Sequence, residues 1–173
     1  MLFRSAATGD VQYVRYGASY QHFIPVSKQY ALAFNVDWGQ GQALGNSAYP
    51  VFKNFYVGGL GSVRGYAQGS LGPRDATGWV TGGPKKLVLN GEFFAPFPGA
   101  GNDKSLRLYG FVDAGNVFGP SDPIQIRELR SAYGMGLSWI SPMGPLRLAV
   151  AYPINPQSGD RITKLQFQIG NTF

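Results

Sequence analysis

Residues 129–139 read LRSAYGMGLSW, and the spacing within this stretch decides the fold. Leu129, Tyr133, Met135, Leu137 and Trp139 occupy alternate positions, against Arg130, Ala132, Gly134, Gly136 and Ser138. A period of two sends side chains to opposite faces of a β-strand, so here one face is large and apolar and the other small or polar. The pattern continues on both sides. Downstream, PLRLAVAY sets Leu146, Leu148, Val150 and Tyr152 against Arg147, Ala149 and Ala151. KLQFQIGNTF sets Leu165, Phe167, Ile169 and Phe173 against Gln166, Gln168, Gly170 and Thr172. Upstream, LRLYGFVDAGNVF opposes Leu106, Leu108 and Val112 to Arg107, Tyr109 and Asp113. KLVLNGEFFAP opposes Leu87, Leu89, Phe93 and Ala95 to Val88, Asn90, Glu92 and Phe94. Earlier strands are expected over 11–25 and 29–38.

The composition decides which face meets which solvent. Charged residues make up 14% of the chain, about half the usual share, aromatics another 14%, and 25 glycines punctuate the whole length. A water-soluble barrel turns its apolar faces inward and carries many Lys, Glu and Thr outside. Here the polar face holds Gly, Ala, Ser, Gln and Arg instead, which suits a crowded, partly wet interior. The apolar face carries Tyr20, Trp38, Trp139, Tyr152 and Phe173, read as an aromatic girdle near strand ends. Lipid therefore lies outside. No run reaches the ~18 to 20 apolar residues of a membrane helix. A net charge of +6 is spread along the chain without a basic run, which argues against nucleic acid. The absence of cysteine excludes a disulfide framework and cysteine-based zinc sites. The N-terminal MLFRSAATGD has no long apolar core of a signal peptide, so a mature or truncated chain is expected.

Connection lengths alternate as well. VSK, PGAGNDK and SPMGP are short; GPSDPIQI, NPQSGD and the segment 39–84 are long. Short periplasmic turns alternating with long surface loops are the habit of outer-membrane barrels. With LFRSAA as a further strand the count comes to about eight, an even number that favours closure and puts both termini on the periplasmic side. The expectation is an all-β, antiparallel transmembrane β-barrel formed by one domain over 1–173, with a long surface loop over 39–84.

FKNFYVGGLGSVRGY, followed by SLGPRD, resembles the sixth surface loop of the BamA family of outer-membrane protein insertases, with its signature Val63, Arg64, Gly65 and Tyr66. NGEFFAPFP, RLYGFVDAGNVF, SAYGMGLSWISPMGPLRLAVAYP and LQFQIGNTF resemble that family's last strands in order and spacing. The resemblance spans nearly the whole chain but only the C-terminal half of the family's barrel, without its periplasmic repeats. It implies a membrane-embedded part of an outer-membrane protein assembly factor. The implied partners are outer-membrane lipids, unfolded outer-membrane proteins and subunits of the assembly machinery. It further implies that the loop folds back into the interior, with Arg64 against Glu92 and Asp113, two acids that strand parity independently turns inward. Arginine suits such a site because its planar fork grips a carboxylate bidentately and stays charged when buried. The C-terminal Leu165, Phe167, Ile169 and Phe173 resemble the β-signal read by assembly machinery, and Gly170 matches the kink of the family's last strand.

Other readings stay open at this stage. One is a small structural barrel with no insertase activity, another a fragment of a two-partner secretion transporter. About eight strands closing on themselves make a barrel mostly filled by its own side chains. A closed monomer is thus expected to expel the loop, whereas a homodimer of half-barrels keeps it inside. No enzyme, cofactor or metal site is expected. His22, the lone histidine, sits beside Tyr20 on the apolar face, no serine has a recognisable base, and GGLGSVRG lacks the ending of a phosphate loop. Glu92 and Asp113 form a carboxylate pair of the hydrolytic kind on paper, but pairing with arginine accounts for them better.

Overall fold

The computed structural model describes residues 2–5, 12–45, 48–99, 105–142 and 144–170. It contains an eight-stranded antiparallel sheet. Its strands are β1 (Leu2–Ser5), β2 (Tyr13–Pro25), β3 (Ala31–Ala43), β5 (Lys85–Pro96), β6 (Leu106–Phe118), β7 (Arg130–Ser141), β8 (Gly144–Pro153) and β10 (Leu165–Ile169), paired in that order. Two-residue strands β4 (Gly65–Tyr66) and β9 (Ile162–Thr163) form a separate small ladder. Each sheet strand thus hydrogen-bonds its nearest sequence neighbour in the sheet, an up-and-down meander. It ends at β1 on one side and β10 on the other, and among the described residues no ladder joins these two, so the expected closure is not seen.

Alternation settles the two faces. Val112, Tyr133, Met135, Trp139, Leu148, Tyr152, Leu165, Phe167 and Ile169 are exposed, while Val88, Tyr109, Phe111, Asp113, Ala132, Ala149 and Ala151 are buried. The exposed set forms the wide apolar band that lipid requires. On it Tyr133 stacks on Tyr152 with ring centroids 5.8 Å apart, and His22 stacks on Tyr20 at 6.0 Å. The buried set is covered by the long loop between β3 and β5. Residues of β2 and β3 (Gln21, Phe23, Ala33, Asn35) and of β8 and β10 (Arg147, Gln168) line one cavity of about 430 Å³. Both ends of the sheet reach a common space, so the sheet is curled with the loop on its concave side.

Two expectations need correction. β3 runs to Ala43, so the loop segment is 44–84 instead of 39–84. Gly39, Gln40 and Gly41 look like the start of a loop, yet they are ladder positions facing Gly17, Tyr16 and Arg15 of β2. The longer strand also places Tyr20 and Trp38 in mid-strand and leaves Trp139 and Tyr152 nearer the ends.

Candidate functional site: the docked arginine loop

Register builds the floor of the site. Asn35 of β3 faces Asn90 of β5, which faces Asp113 of β6, which faces Ala132 of β7. One row along, Ala33, Glu92, Phe111, Gly134 and Ala151 are paired in the same way. The acids thus stand in adjacent rows of neighbouring strands, and beyond them on β7 and β8 the rows continue as Ala132 and Pro153 and as Gly134 and Ala151. That strip of small residues leaves the depth into which a loop can descend.

The loop is shaped by its own backbone before it meets the wall. Leu71 N–H donates to the Val57 carbonyl at 2.9 Å, Gly59 N–H to the Val63 carbonyl at 3.0 Å, and Gly58 N–H to Ser62 Oγ at 2.8 Å. Val57, Val63, Tyr66 and Leu71 pack with Phe55, Val88, Val117 and Ala132 into one buried cluster. Val63 sits where a Cβ on Gly115 of the wall would otherwise stand. Gly65 has φ of +90°, and an added Cβ would meet the side chains of Ala151, Ala132 and Pro153 at 3.2 to 3.4 Å. Both the left-handed backbone and the close approach require glycine there.

All the side chains of the motif are buried, and Arg64 retains 2% of its exposure. Its Nε donates to Asp113 Oδ2 at 2.7 Å and its Nη2 to Oδ1 at 2.6 Å, the side-on fork of a bidentate pair. Its Nη1 donates to Glu92 Oε1 and its backbone N–H returns to Asp113 Oδ2 at 3.0 Å. Asn90 Nδ2 supplies a further bond to Asp113 Oδ1 at 2.8 Å. Fully buried Asp113 therefore accepts four hydrogen bonds, which is what keeps a carboxylate tolerable out of water. The guanidinium carbon lies 3.7 Å from the Phe111 ring centroid, a cation–π contact on the remaining side. Burial lowers the Arg64 pKa, but the bonds and charge of Asp113, then those of Glu92, outweigh it and raise it. Burial first, then Asp160, push the Tyr66 hydroxyl up to about 12, and it donates to the Ser131 carbonyl at 3.4 Å.

The structure brings Arg64, Glu92 and Asp113 into one site. It adds Asn90, Asn35, Phe111 and Arg147, to which sequence reasoning gave no role. Asn90 also holds the Ser62 carbonyl at 2.6 Å and takes a bond from Asn35 at 3.0 Å, while Arg147 Nη1 lies 3.4 Å from Glu92 Oε1. The signal for Asn90 was present: it shares the inward face with Glu92 two residues on. At the other end of the chain, Leu165, Phe167 and Ile169 share the exposed face of β10. The strand ends at Gly170, whose φ is +89° and whose N–H donates to the Pro145 carbonyl at 2.8 Å. Phe173 lies outside the described residues. Among the described residues no group of three or more His, Asp or Glu is placed to hold a metal ion.

A lipid-facing meander whose concave side receives a folded-back loop, fastened by one arginine to two wall acids, defines an outer-membrane barrel with an occupied interior. Residues 2–173 match the Omp85 superfamily domain, and the chain belongs to that superfamily. It is 36% identical over 180 residues to the outer membrane protein assembly factor BamA of Neisseria meningitidis, covering 87% of this chain and 23% of that protein. It is 28% identical to the mouse sorting and assembly machinery component 50 homolog, over 95% of this chain and 38% of the relative. The crystal structure of BamA from Haemophilus ducreyi lacking POTRA domains 1-3 superposes with a TM-score of 0.81 at 28% identity, covering 90% of this chain and 34% of that one. The chain thus spans well under half the length of these relatives. Kinship with BamA assigns it to the bacterial outer membrane.

Proposed function

We propose that the chain is the membrane-embedded C-terminal barrel part of an outer-membrane protein assembly and insertion factor. The observation that carries this reading is the Arg64 site, an elaborate charged clamp in the interior of a barrel related to BamA assembly factors. A barrel that only had to persist in the membrane would gain as much from an apolar plug, since a buried ion pair is weak as a source of stability. In this reading both termini are periplasmic, and the exposed band meets outer-membrane lipid. The partners are unfolded outer-membrane proteins and further subunits of the machinery, with a second copy of the chain as another candidate partner. Leu165, Phe167, Ile169, Gly170 and Phe173 serve as the β-signal. The chain works by binding and positioning, without catalytic chemistry.

The test is a chimera. A BamA-type factor whose own last strands are replaced by residues 2–173 is expressed in cells depleted of the native factor, with and without Arg64→Ala. Restored barrel assembly, lost with the substitution, is expected. A chimera that reaches the membrane folded yet assembles nothing would rule the proposal out.

A further inference from the structure

The motif Val63–Tyr66 is divided between two attachments. Val63 and Arg64 fasten the loop to β5 and β6, as described above. Gly65 and Tyr66 instead pair as β4 with Thr163 and Ile162 of β9, and Ala67 N–H donates to the Arg161 carbonyl at 2.7 Å. Gln166 of β10 completes this second attachment. Its Nε2 donates to the Tyr66 carbonyl at 2.7 Å and its Oε1 accepts from Gly65 N–H at 3.3 Å. One carboxamide thus stands in for a strand, satisfying a donor and an acceptor of adjacent loop residues. Asp160 of the same hairpin, its side chain buried, takes Arg130 Nε at 2.8 Å and lies 3.9 Å from Nη2 of Arg74, a second loop arginine.

We infer that Gln166 is a positioning residue that joins the docked loop to the last strand, so that releasing the loop and displacing β10 become one event. Among the described residues β10 pairs only with β8 and stands at the end of the sheet, so a single ladder and the bonds of Gln166 hold it in place. The bonds of Gln166 go to backbone atoms, which makes the connection depend on the path of the loop and not on the identity of its side chains. The inference rests on the proposed role in assembly only for its meaning: a factor that must move its last strand would thereby register whether the loop is seated.

The experiment is hydrogen–deuterium exchange on the full chain refolded in detergent, comparing wild type, Arg64→Ala, Gln166→Leu and the double variant. In the wild-type background Arg64→Ala is expected to speed exchange at least tenfold both in 58–72 and in 165–169, since three charge-assisted hydrogen bonds are lost. With Gln166→Leu the same substitution should still reach 161–163 through the β4–β9 ladder and Ala67, but no longer 165–169. A residue that merely added stability would raise exchange everywhere and leave transmission intact. Gln166→Glu is the second variant, for the case in which Leu does not fold: it keeps the shape and the acceptor, opposes an anion to the Tyr66 carbonyl, and should weaken transmission. Equal transmission to 165–169 with and without Gln166, or no response of 165–169 to Arg64→Ala in wild type, overturns the inference. Transmission present in a chimera that assembles nothing would sink the proposed function and leave the inference standing.

Discussion

β2 and β6 are both 13 residues long and alternate in the same way, yet they live in different surroundings. From Gly17 to Pro25 every residue of β2 is exposed on both faces, whereas Tyr109, Phe111, Asp113, Gly115 and Val117 on the inner face of β6 are all buried. The loop makes the difference. It lies against β5 to β8, and through Phe55 and Tyr49 against β3 and the start of β2, but leaves the inner side of β2 from Gly17 onward to line the cavity through Gln21 and Phe23. Alternation in sequence reports that a strand has two unlike faces; it does not report whether the polar face meets water or another part of the chain. The composition of the covered wall does carry that information, because it holds the charged partners and the glycines that give them room.

The largest expected effect is on the covered wall. Arg64→Ala leaves Asp113 without its cation and Glu92 with only the longer contact to Arg147, and should destabilise by ~3 to 5 kcal/mol, reduced by water entering from the cavity. Arg64→Lys keeps the charge without the fork and should fall between Ala and wild type. Melting temperature and protease access to 58–72 are the readouts, with a double-mutant cycle against Asp113→Asn and Glu92→Gln. Additive effects in both cycles would mean that the ion pairs contribute no coupling.

Next in size is the contrast between inside and outside. Leu137→Arg places a charge in lipid and should cost ~2 to 4 kcal/mol at mid-membrane depth, while Ser138→Glu one residue on lies between Arg107 and Arg147 and should cost little. Refolding titrations into lipid vesicles measure both; equal penalties would undo the assignment of faces.

Smaller again is the effect of filling a glycine. A Cβ at Gly134 would run into the Phe111 ring and the backbone oxygen of Val150, so Gly134→Ala should lose ~1 to 3 kcal/mol as overpacking. At Gly91 nothing comes nearer than 3.8 Å, and Gly91→Ala should be neutral or gain slightly from reduced chain entropy. Denaturant midpoints compare the two, and a loss at Gly91 as large as at Gly134 would discount the wall contacts. Smallest is Gln21→Ala on the uncovered wall, expected within ~0.5 kcal/mol. A larger loss there would show that β2 is covered in the membrane.

Legibility followed the same division. The alternating strands β5 to β8 and β10 were evident in sequence because large apolar side chains mark the lipid face directly. Glu92 and Asp113 were found because strand parity turned them inward and the motif around Arg64 called for acids. The end of β3 was misread because Gly39 and Gly41 carry no side chain to alternate. Their emptiness has a purpose, since the rings of Phe55 and Tyr49 from the loop occupy the space a Cβ would need. Gln166 could not be recognised at all: a glutamine on the polar face of a strand looks the same whether it meets water or a backbone. β4 and β9 escaped too, because a two-residue ladder has no periodicity to detect.

The two attachments of the motif also differ in when they can exist. Arg64 is 28 residues from Glu92 and 49 from Asp113, while Gly65 is 101 residues from Gln166. Doubling a loop adds only ~0.6 kcal/mol of closure entropy, so distance alone hardly separates them. What separates them is the availability of partners. The β5–β6 hairpin is local, and once it forms, Asn90, Glu92 and Asp113 are in register and waiting for a cation. The docked arginine then fixes Gly65 and Tyr66 in place, offering a ready edge on which Ile162 and Thr163 can settle. The final hairpin therefore needs to find only one conformation of the loop, and the arginine acts in folding as a chaperone built into the chain, shaping the surface that the last strand completes.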